Sequence, residues 1–175
     1  MTKPKSAAEI WKMATPLMRE DRWLDAIELL TDPSSESAKN WKLSWNLGWC
    51  YFKLDRLDDA WKHLIRADKL APGNAICKWA LGLVLLKRKR FKKSAAVLAE
   101  SLRIKESHLT RIALALAYLA QGKIPEAEKI HIENIKHKTR RSERYESYAA
   151  FLSDVGREAE SERIMQKVRA MRSVN

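Results

Sequence analysis

The feature that most constrains this chain is a spacing of 34 residues. Gly48 and Gly82 are separated by this interval, and so are Gly122 and Gly156. Two further pairs keep it, each an alanine followed by a serine: Ala60 with Ser94, and Ala127 with Ser161. Self-similarity at one fixed period indicates a stack of repeated supersecondary units. Such a stack builds an extended surface, so the period favours a binding function.

Each unit is predicted to be two antiparallel helices joined by a tight turn. In residues 41–74, the small size of Gly48 allows a second helix to cross closely, and Ala60 is the small contact on the returning helix. Pro72 and Gly73 then end that helix, and Asn74 can cap the next one. The repeated unit is therefore a helical hairpin.

The residues of this unit resemble the tetratricopeptide repeat (TPR) family. Its signature combines a Trp, a Leu-Gly pair, a Tyr, an Ala, an aromatic residue or Leu, and a Pro. The matching residues are Leu47, Gly48, Tyr51, Ala60, Leu64, Ala67 and Pro72. One position departs from the signature, because Ser44 occupies the place of the Trp. The resemblance implies an all-α fold, a right-handed α-solenoid of about five helical hairpins.

The period also predicts the domain organisation. We expect a disordered leader over residues 1–5 and a single TPR array over residues 6–175. The repeats fall at about 7–40, 41–74, 75–107, 108–141 and 142–175. Pro33 ends the second helix of the first repeat near Thr31. The Ser-rich stretch 32–37 is expected to be an irregular connector.

The composition indicates a folded helical chain that does not enter a membrane. Of its 175 residues, 46% are hydrophobic and 32% are charged, as in ordinary globular proteins. No apolar run reaches the roughly 18 residues of a membrane-spanning helix, and the N-terminus lacks the apolar core of a signal peptide. We expect a cytoplasmic location, with Cys50 and Cys77 as reduced, buried thiols.

The resemblance implies that the first helix of each hairpin lines a concave groove. It places apolar residues there in the first four repeats: Trp11, Met18, Trp45, Trp49, Phe52, Trp79, Leu83, Leu86, Ile112, Leu116 and Leu119. The last repeat adds an acidic end: Glu143, Glu146 and Asp154. Large apolar patches on a protein surface are typical of partner sites. The groove predicts a scaffold or adaptor that binds another protein through an apolar peptide or an amphipathic helix.

Three interpretations of the groove stay open. Trp45 and Trp49 are four residues apart, which is also ordinary spacing for a helix core, so the protein could bury these rings itself. A second copy of the chain could cover them in a homo-oligomer. If a partner binds, the expected anchors are Trp45, Trp49, Phe52, Trp79, Leu83 and Leu86. A narrower version is a small chaperone that shields an apolar segment of a client protein. TPR proteins that bind the acidic C-terminal tail of a chaperone line this groove with Lys and Asn. Those residues are absent here, which argues against a co-chaperone role.

The net charge of +12 needs an explanation of its own. Two basic clusters contribute most visibly. The first contains Lys87, Arg88, Lys89, Arg90, Lys92 and Lys93, and the second contains Lys136, Lys138, Arg140, Arg141 and Arg144. Such clusters attract nucleic acid and other anions, or they keep an apolar protein soluble. The resemblance places them on opposite edges of the array, which weakens the interpretation as a contiguous nucleic-acid footprint.

No residue pattern points to catalysis. The four histidines, His63, His108, His131 and His137, form no metal-ligand spacing with each other or with cysteine. No nucleophile has a recognisable base beside it, and no phosphate-binding loop occurs. His131 falls at a packing position of the repeat. We therefore predict a protein without catalytic residues, metal or cofactor.

Overall fold

The computed structural model describes residues 5–31, 39–136 and 141–173. These residues form ten α-helices and no strand: α1 Ala7–Arg19, α2 Trp23–Thr31, α3 Trp41–Lys53, α4 Leu57–Leu70, α5 Ala75–Lys87, α6 Phe91–Ile104, α7 His108–Leu119, α8 Ile124–Ile135, α9 Arg141–Asp154 and α10 Glu158–Arg172. The predicted all-α class is confirmed. Residues 1–4 of the predicted leader and the connector 32–37 lie outside the described residues.

The chain divides into two compact units, Met1–Arg90 and Phe91–Asn175. The first unit contains α1 to α5, and the second contains α6 to α10. A single array over residues 6–175 stays a prediction. Among the described helices, none is both long and apolar enough to cross a bilayer.

Asparagine caps begin two of the first helices in the hairpins. Asn40 Oδ1 accepts the backbone N–H of Lys42 at 2.9 Å and that of Leu43 at 3.3 Å. Asn74 Oδ1 accepts the N–H of Ile76 at 2.9 Å, as predicted for this residue. Each cap satisfies a donor that the first turn of a helix leaves without an intrahelical partner. These caps fix where α3 and α5 begin.

A left-handed residue follows α1, α3, α5, α7 and α9. These residues are Asp21, Asp55, Lys89, Gly122 and Gly156, with φ between 56° and 78°. Their spacing is 34, 34, 33 and 34 residues, so the backbone repeats the period of the sequence. The next N–H in each case donates to a carbonyl five residues back, for example Arg56 to Tyr51 at 2.9 Å and Arg157 to Leu152 at 2.8 Å. This closure is the Schellman motif that ends a helix and reverses the chain.

The close crossing predicted at Gly48 is present in the first unit. A Cβ atom on Gly48 would lie 2.6 Å from Leu64 Cγ and 3.1 Å from the backbone N of Leu64. Helices α3 and α4 therefore approach so closely that only glycine fits between them. A cluster that spans α1, α2 and α3 forms a core beside this crossing: Ile10, Ala14, Ala26, Leu30, Leu43, Leu47 and Cys50.

A separate apolar cluster holds the second unit together. It comprises Ala115, Ala127, Tyr148, Phe151 and Leu152, from α7, α8 and α9. Tyr118, Leu119, Ile130, Ile135, Val155 and Ile164 pack around it. The aromatic members come from α9, which also lines the site described below.

The two cysteines are buried free thiols of the first unit. Burial raises the pKa of the Cys50 thiol to about 12 and that of Cys77 to about 11. A thiol reacts as its thiolate, so both side chains behave as small core residues at neutral pH. The prediction of reduced, buried cysteines is confirmed.

We expect Gly48→Ala to lower the free energy of unfolding by about 1–3 kcal/mol, because the added methyl group overpacks the contact with Leu64. Urea unfolding followed by far-UV circular dichroism measures this. Lys62→Ala, on the exposed face of α4, is the control and should stay within about 0.5 kcal/mol of the parent. A gain in stability for Gly48→Ala would contradict the close crossing.

We expect Lys89→Gly to stabilise the protein by up to about 1 kcal/mol, since a left-handed residue with a Cβ carries a steric penalty that glycine avoids. Gly122→Ala should destabilise it by about 1 kcal/mol for the same reason. No heavy atom beyond its chain neighbours lies within 4 Å of the place that a Cβ on Gly122 would occupy, so this loss comes from backbone strain alone. Lys89→Ala keeps the strain and serves as the control in the same urea titration. Equal stability of the Gly and Ala variants at position 89 would contradict a left-handed backbone at Lys89.

Candidate functional site

The first unit carries a stack of four aromatic rings, which we call the aromatic surface: Trp45, Trp49, Phe52 and Trp79. Trp49 is its centre, with ring centroids 5.5 Å from Trp45, 5.2 Å from Phe52 and 5.3 Å from Trp79. The planes of Trp45 and Trp49 are 6° apart. The structure thus brings together four of the six predicted anchors.

Helix geometry explains this stack. Trp45, Trp49 and Phe52 follow one another at intervals of four and three residues on α3, which places them on one face of the helix. Trp79 reaches the same face from α5, after α4 has returned the chain. Rings from two helices therefore support one another.

The aromatic surface is neither sealed nor fully open. All four rings are half-buried. The indole nitrogens of Trp45 and Trp79 are buried and have no hydrogen-bond partner among the described residues. A buried donor without an acceptor carries a free-energy penalty, and tryptophan N–H groups usually find a partner. The rings thus expose part of their apolar area, while two indole N–H groups stay buried without an acceptor among the described residues.

A lysine lies at one end of the aromatic surface. The Lys87 ammonium is 4.9 Å from the centroid of the Phe52 ring and 2.7 Å from Asp55 Oδ1. The first contact is a cation–π interaction and the second is an exposed ion pair. Lys87, predicted as part of the first basic cluster, thus has partners within its own unit.

The other groove residues predicted in the first unit are not members of the ring stack. Trp11 is 49% exposed and stacks on none of the four rings. Met18 packs against the core cluster around Ile10. Leu83 and Leu86 are half-buried on α5, one and two turns after Trp79. Their part in binding stays a prediction.

The second unit contains a pocket of about 210 Å³, which we call the C-terminal pocket. Ile112, Leu116 and Leu119 of α7, all predicted groove residues, form one wall. Phe151, Ala150 and Asp154 of α9 line it as well, together with Ala115, Ser147 and His131. The pocket is mostly apolar, with one carboxylate among its lining residues.

The predicted acidic end does not form a single cluster around the pocket. The carboxylate of Glu143 lies 3.4 Å from His108 Nε2, and that of Glu146 lies 2.6 Å from an Arg172 guanidinium nitrogen. Asp154 is exposed and has no ion-pair partner among the described residues. Of the three predicted acidic residues, only Asp154 lines the C-terminal pocket.

His131 is a buried packing residue, as its position in the repeat predicts. Its ring lies 4.9 Å from the Phe151 ring and 5.9 Å from the Tyr148 ring. Burial lowers the pKa of His131 to about 4, although the nearby Glu128 carboxylate acts in the opposite direction. The imidazole is therefore neutral at pH 7. Its Nδ1 atom lies 3.4 Å from the Ser147 hydroxyl.

Two cations of the first basic cluster have partners within the first unit. Lys87 has the contacts given above, and Arg88 pairs with Asp58 while its guanidinium lies 5.6 Å from the centroid of Trp61. The remaining members are exposed: Lys89, Arg90, Lys92 and Lys93.

The second basic cluster differs from its sequence-based description. Arg144 is only 6% exposed, and its guanidinium donates to the backbone oxygen of Asn134 at 3.2 Å and to the Asn134 side chain. These hydrogen bonds join α8 and α9, because the several N–H donors of one guanidinium can satisfy more than one buried acceptor. Lys136 is exposed. Lys138 and Arg140 lie outside the described residues, as does the side chain of Arg141.

The described residues contain no group of three or more His, Cys, Asp or Glu side chains arranged to hold a metal ion.

Comparison with solved structures identifies the fold. A MamA structure from Desulfovibrio magneticus RS-1 superposes with a TM-score of 0.75 at 14% sequence identity, over 95% of this chain and 94% of that one. A tetratricopeptide repeat protein from Parabacteroides merdae gives a TM-score of 0.81 at 20% identity, over 93% of this chain and 64% of that one. The chain has the tetratricopeptide repeat fold. The predicted resemblance and the predicted helical repeat class are confirmed.

A third TPR-like structure agrees. A variant of a Podospora anserina kinesin light chain protein with nearly identical TPR-like repeats gives a TM-score of 0.76 at 17% identity, over 94% of this chain and 93% of that one. No protein-family model matches the chain, and no curated protein matches it in sequence. At these identities the likeness extends to the TPR fold alone.

Three residues of the C-terminal pocket carry no predicted binding role. They are Phe151, Ser147 and His131, of which His131 is predicted only as a packing residue. All three line the pocket. The spacing of Ser147 and Phe151, one turn apart on α9, is a signal that they share a face. The sequence offered no signal that α8 would bring His131 to that face.

We expect the free energy of unfolding to fall as the pH drops from about 6.5 to about 4, because the unfolded chain binds a proton at His131 that the folded chain excludes. The folded-state pKa is depressed, so this loss is absent above pH 6.5 and reaches on the order of 2–3 kcal/mol near pH 4. Urea unfolding at pH 7 and at pH 4.5 measures it for the parent and for His131→Gln.

Carboxylates contribute to acid sensitivity in both proteins, so the informative quantity is the difference between their pH profiles. The parent should lose more stability than His131→Gln over this range. Parallel profiles would contradict a histidine that is held neutral in the fold.

Proposed function

We propose that this protein is a non-enzymatic interaction scaffold that binds an apolar segment of another protein. The aromatic surface is the observation that carries the proposal. Trp49 is stacked on three other rings, yet all four rings remain half-buried. Large stacked rings that keep part of their area open to solvent are typical of interface anchors.

The packing of the rings supports an efficient binding surface. Because Trp49 contacts Trp45, Phe52 and Trp79, its orientation is set before a partner arrives. A preorganised side chain loses little conformational entropy on binding. Tryptophan anchors often contribute about 2 kcal/mol or more when a partner covers them. The stack therefore has the properties of a small cluster of binding hot spots.

The open ring area supports a polypeptide as the partner. The four rings come from α3 and α5 and form one continuous stack. An apolar or amphipathic peptide supplies an apolar face that matches such a surface. Chaperone activity toward one client is a narrower form of this proposal, and it rests on analogy with other TPR proteins. We place the function in the cytoplasm.

An anion-binding scaffold is the alternative, and three observations count against it. Lys87 and Arg88 already pair with Asp55 and Asp58, and Arg144 is buried. Salt separates the two functions. Raising the salt concentration from about 50 to about 200 mM weakens phosphate-driven binding by orders of magnitude and barely affects apolar contacts. A second copy of the chain as the partner would appear as a dimer mass in light scattering.

We expect Trp49→Ala combined with Trp79→Ala to reduce partner affinity at least about thirtyfold, since two hot-spot residues are lost. Capture from a native lysate with mass spectrometry identifies the partner, and calorimetry with the purified pair then measures the affinity. The far-UV circular dichroism of the double variant should match that of the parent.

Trp61→Ala is the matched control. Trp61 is a half-buried tryptophan on α4 that contacts Arg88, and its ring is not part of the aromatic surface. Trp61→Ala removes one indole that is not part of the aromatic surface, so partner affinity should change less than about threefold. Unchanged affinity in a folded Trp49→Ala, Trp79→Ala protein would refute the proposed function.

A further inference from the structure

We infer that the C-terminal pocket receives one large apolar side chain of a bound peptide, and that Asp154 pairs with a basic residue next to that side chain. This inference rests on the proposed function, because it names the class of segment that the scaffold recognises. It concerns the second unit alone, whereas the aromatic surface belongs to the first.

The size of the pocket suits one side chain. Its volume is about 210 Å³. An apolar cavity of about 150 Å³ in another protein is large enough to bind benzene. The C-terminal pocket can therefore hold a phenyl ring or a branched aliphatic group together with its first carbon atoms. A longer segment would have to continue outside it.

The chemistry of the walls favours an apolar occupant. Ile112, Leu116 and Leu119 present aliphatic carbon from α7, and Phe151 presents a ring from α9. The Ser147 hydroxyl is already used, because it donates to the backbone oxygen of Arg144 at 3.2 Å. An occupant with polar groups would lose its hydration here without gaining matching partners.

The charge beside the pocket favours a cation. Asp154 is exposed and has no ion-pair partner among the described residues. It is also the last residue of α9, where the carbonyl end of the helix carries partial negative charge. The Asp154 carboxylate and the carbonyl end of α9 both attract positive charge, although the chain as a whole has a net charge of +12.

The neighbouring charges do not neutralise Asp154. The Arg157 guanidinium, three residues later, contacts Glu128 at 2.7 Å and Glu160 at 2.7 Å. Arg172 contacts Glu146. Both cations are held by other carboxylates. A basic side chain from a bound peptide is the complement that this pocket lacks.

Two capped dipeptides test the inference: N-acetyl-Phe-Lys-amide and N-acetyl-Phe-Glu-amide. Each is titrated into the 175-residue chain with isotope-labelled Ile and Leu methyl groups, and the methyl signals of Ile112, Leu116 and Leu119 are followed by NMR. We expect both dipeptides to shift these signals in the millimolar range. The Lys dipeptide should bind about fivefold more tightly, as one exposed charge pair allows.

Three variants supply the controls. Ala150→Leu fills the pocket from an exposed helix position and should abolish the shifts for both dipeptides. Asp154→Asn should remove the preference for Lys, and Asp154→Lys should reverse it. All three substitutions lie on α9 and suit a helix, so far-UV circular dichroism should stay that of the parent.

The inference is overturned if neither dipeptide shifts the three methyl signals up to about 20 mM, if Ala150→Leu leaves the shifts unchanged, or if Asp154→Lys keeps the preference for Lys. These results are independent of the aromatic surface. If the dipeptides do not bind but partner binding still depends on Trp49 and Trp79, only the proposed role of the C-terminal pocket is refuted. Dipeptide binding without any tryptophan dependence would instead remove the proposed role of the aromatic surface.

Discussion

The left-handed turn after the first helix of each hairpin is the constraint on which the other features depend. At Asp55 and at Gly156, one residue with positive φ and one hydrogen bond across the turn reverse the chain. The reversal lets α4 return along α3 until Leu64 meets Gly48. Repetition of this turn at an almost constant interval then produces equivalent helix faces along the sequence. Without the reversal, residues 34 positions apart would share no structural role.

Both candidate surfaces follow from that repetition, and they differ in chemistry. In the first unit, α3 and α5 supply large rings that stack around Trp49. In the second unit, α7 supplies aliphatic side chains and α9 supplies Phe151, and together they leave a pocket instead of a stack. The backbone pattern is the same in both, so the side chains alone decide the chemistry of each surface.

Some of the cations make contacts within the protein itself. Arg56 and Arg157 each follow a left-handed residue and pair with an acidic residue three positions later, at 2.7 Å in both cases. The buried Arg144 guanidinium donates a hydrogen bond to the backbone oxygen of Asn134. Counting charges along the sequence therefore overstates the number of cations available to an anionic partner. In the two basic clusters, Lys87 and Arg88 are paired and Arg144 is buried, so fewer cations are available there than the composition indicates.

The sequence by itself determined the helical repeat, the close crossing at Gly48 and the burial of the cysteines, because each depends on spacing or on local sterics. It did not reveal that Asp21, Asp55 and Lys89 adopt the conformation of Gly122, since turn geometry can override residue preference. Only the tertiary structure decided that Arg144 is buried, that His131 lines a pocket with Ile112, and that Asp154 stands without a partner there. Those outcomes depend on contacts between side chains of separate helices, and no local sequence pattern encodes such contacts.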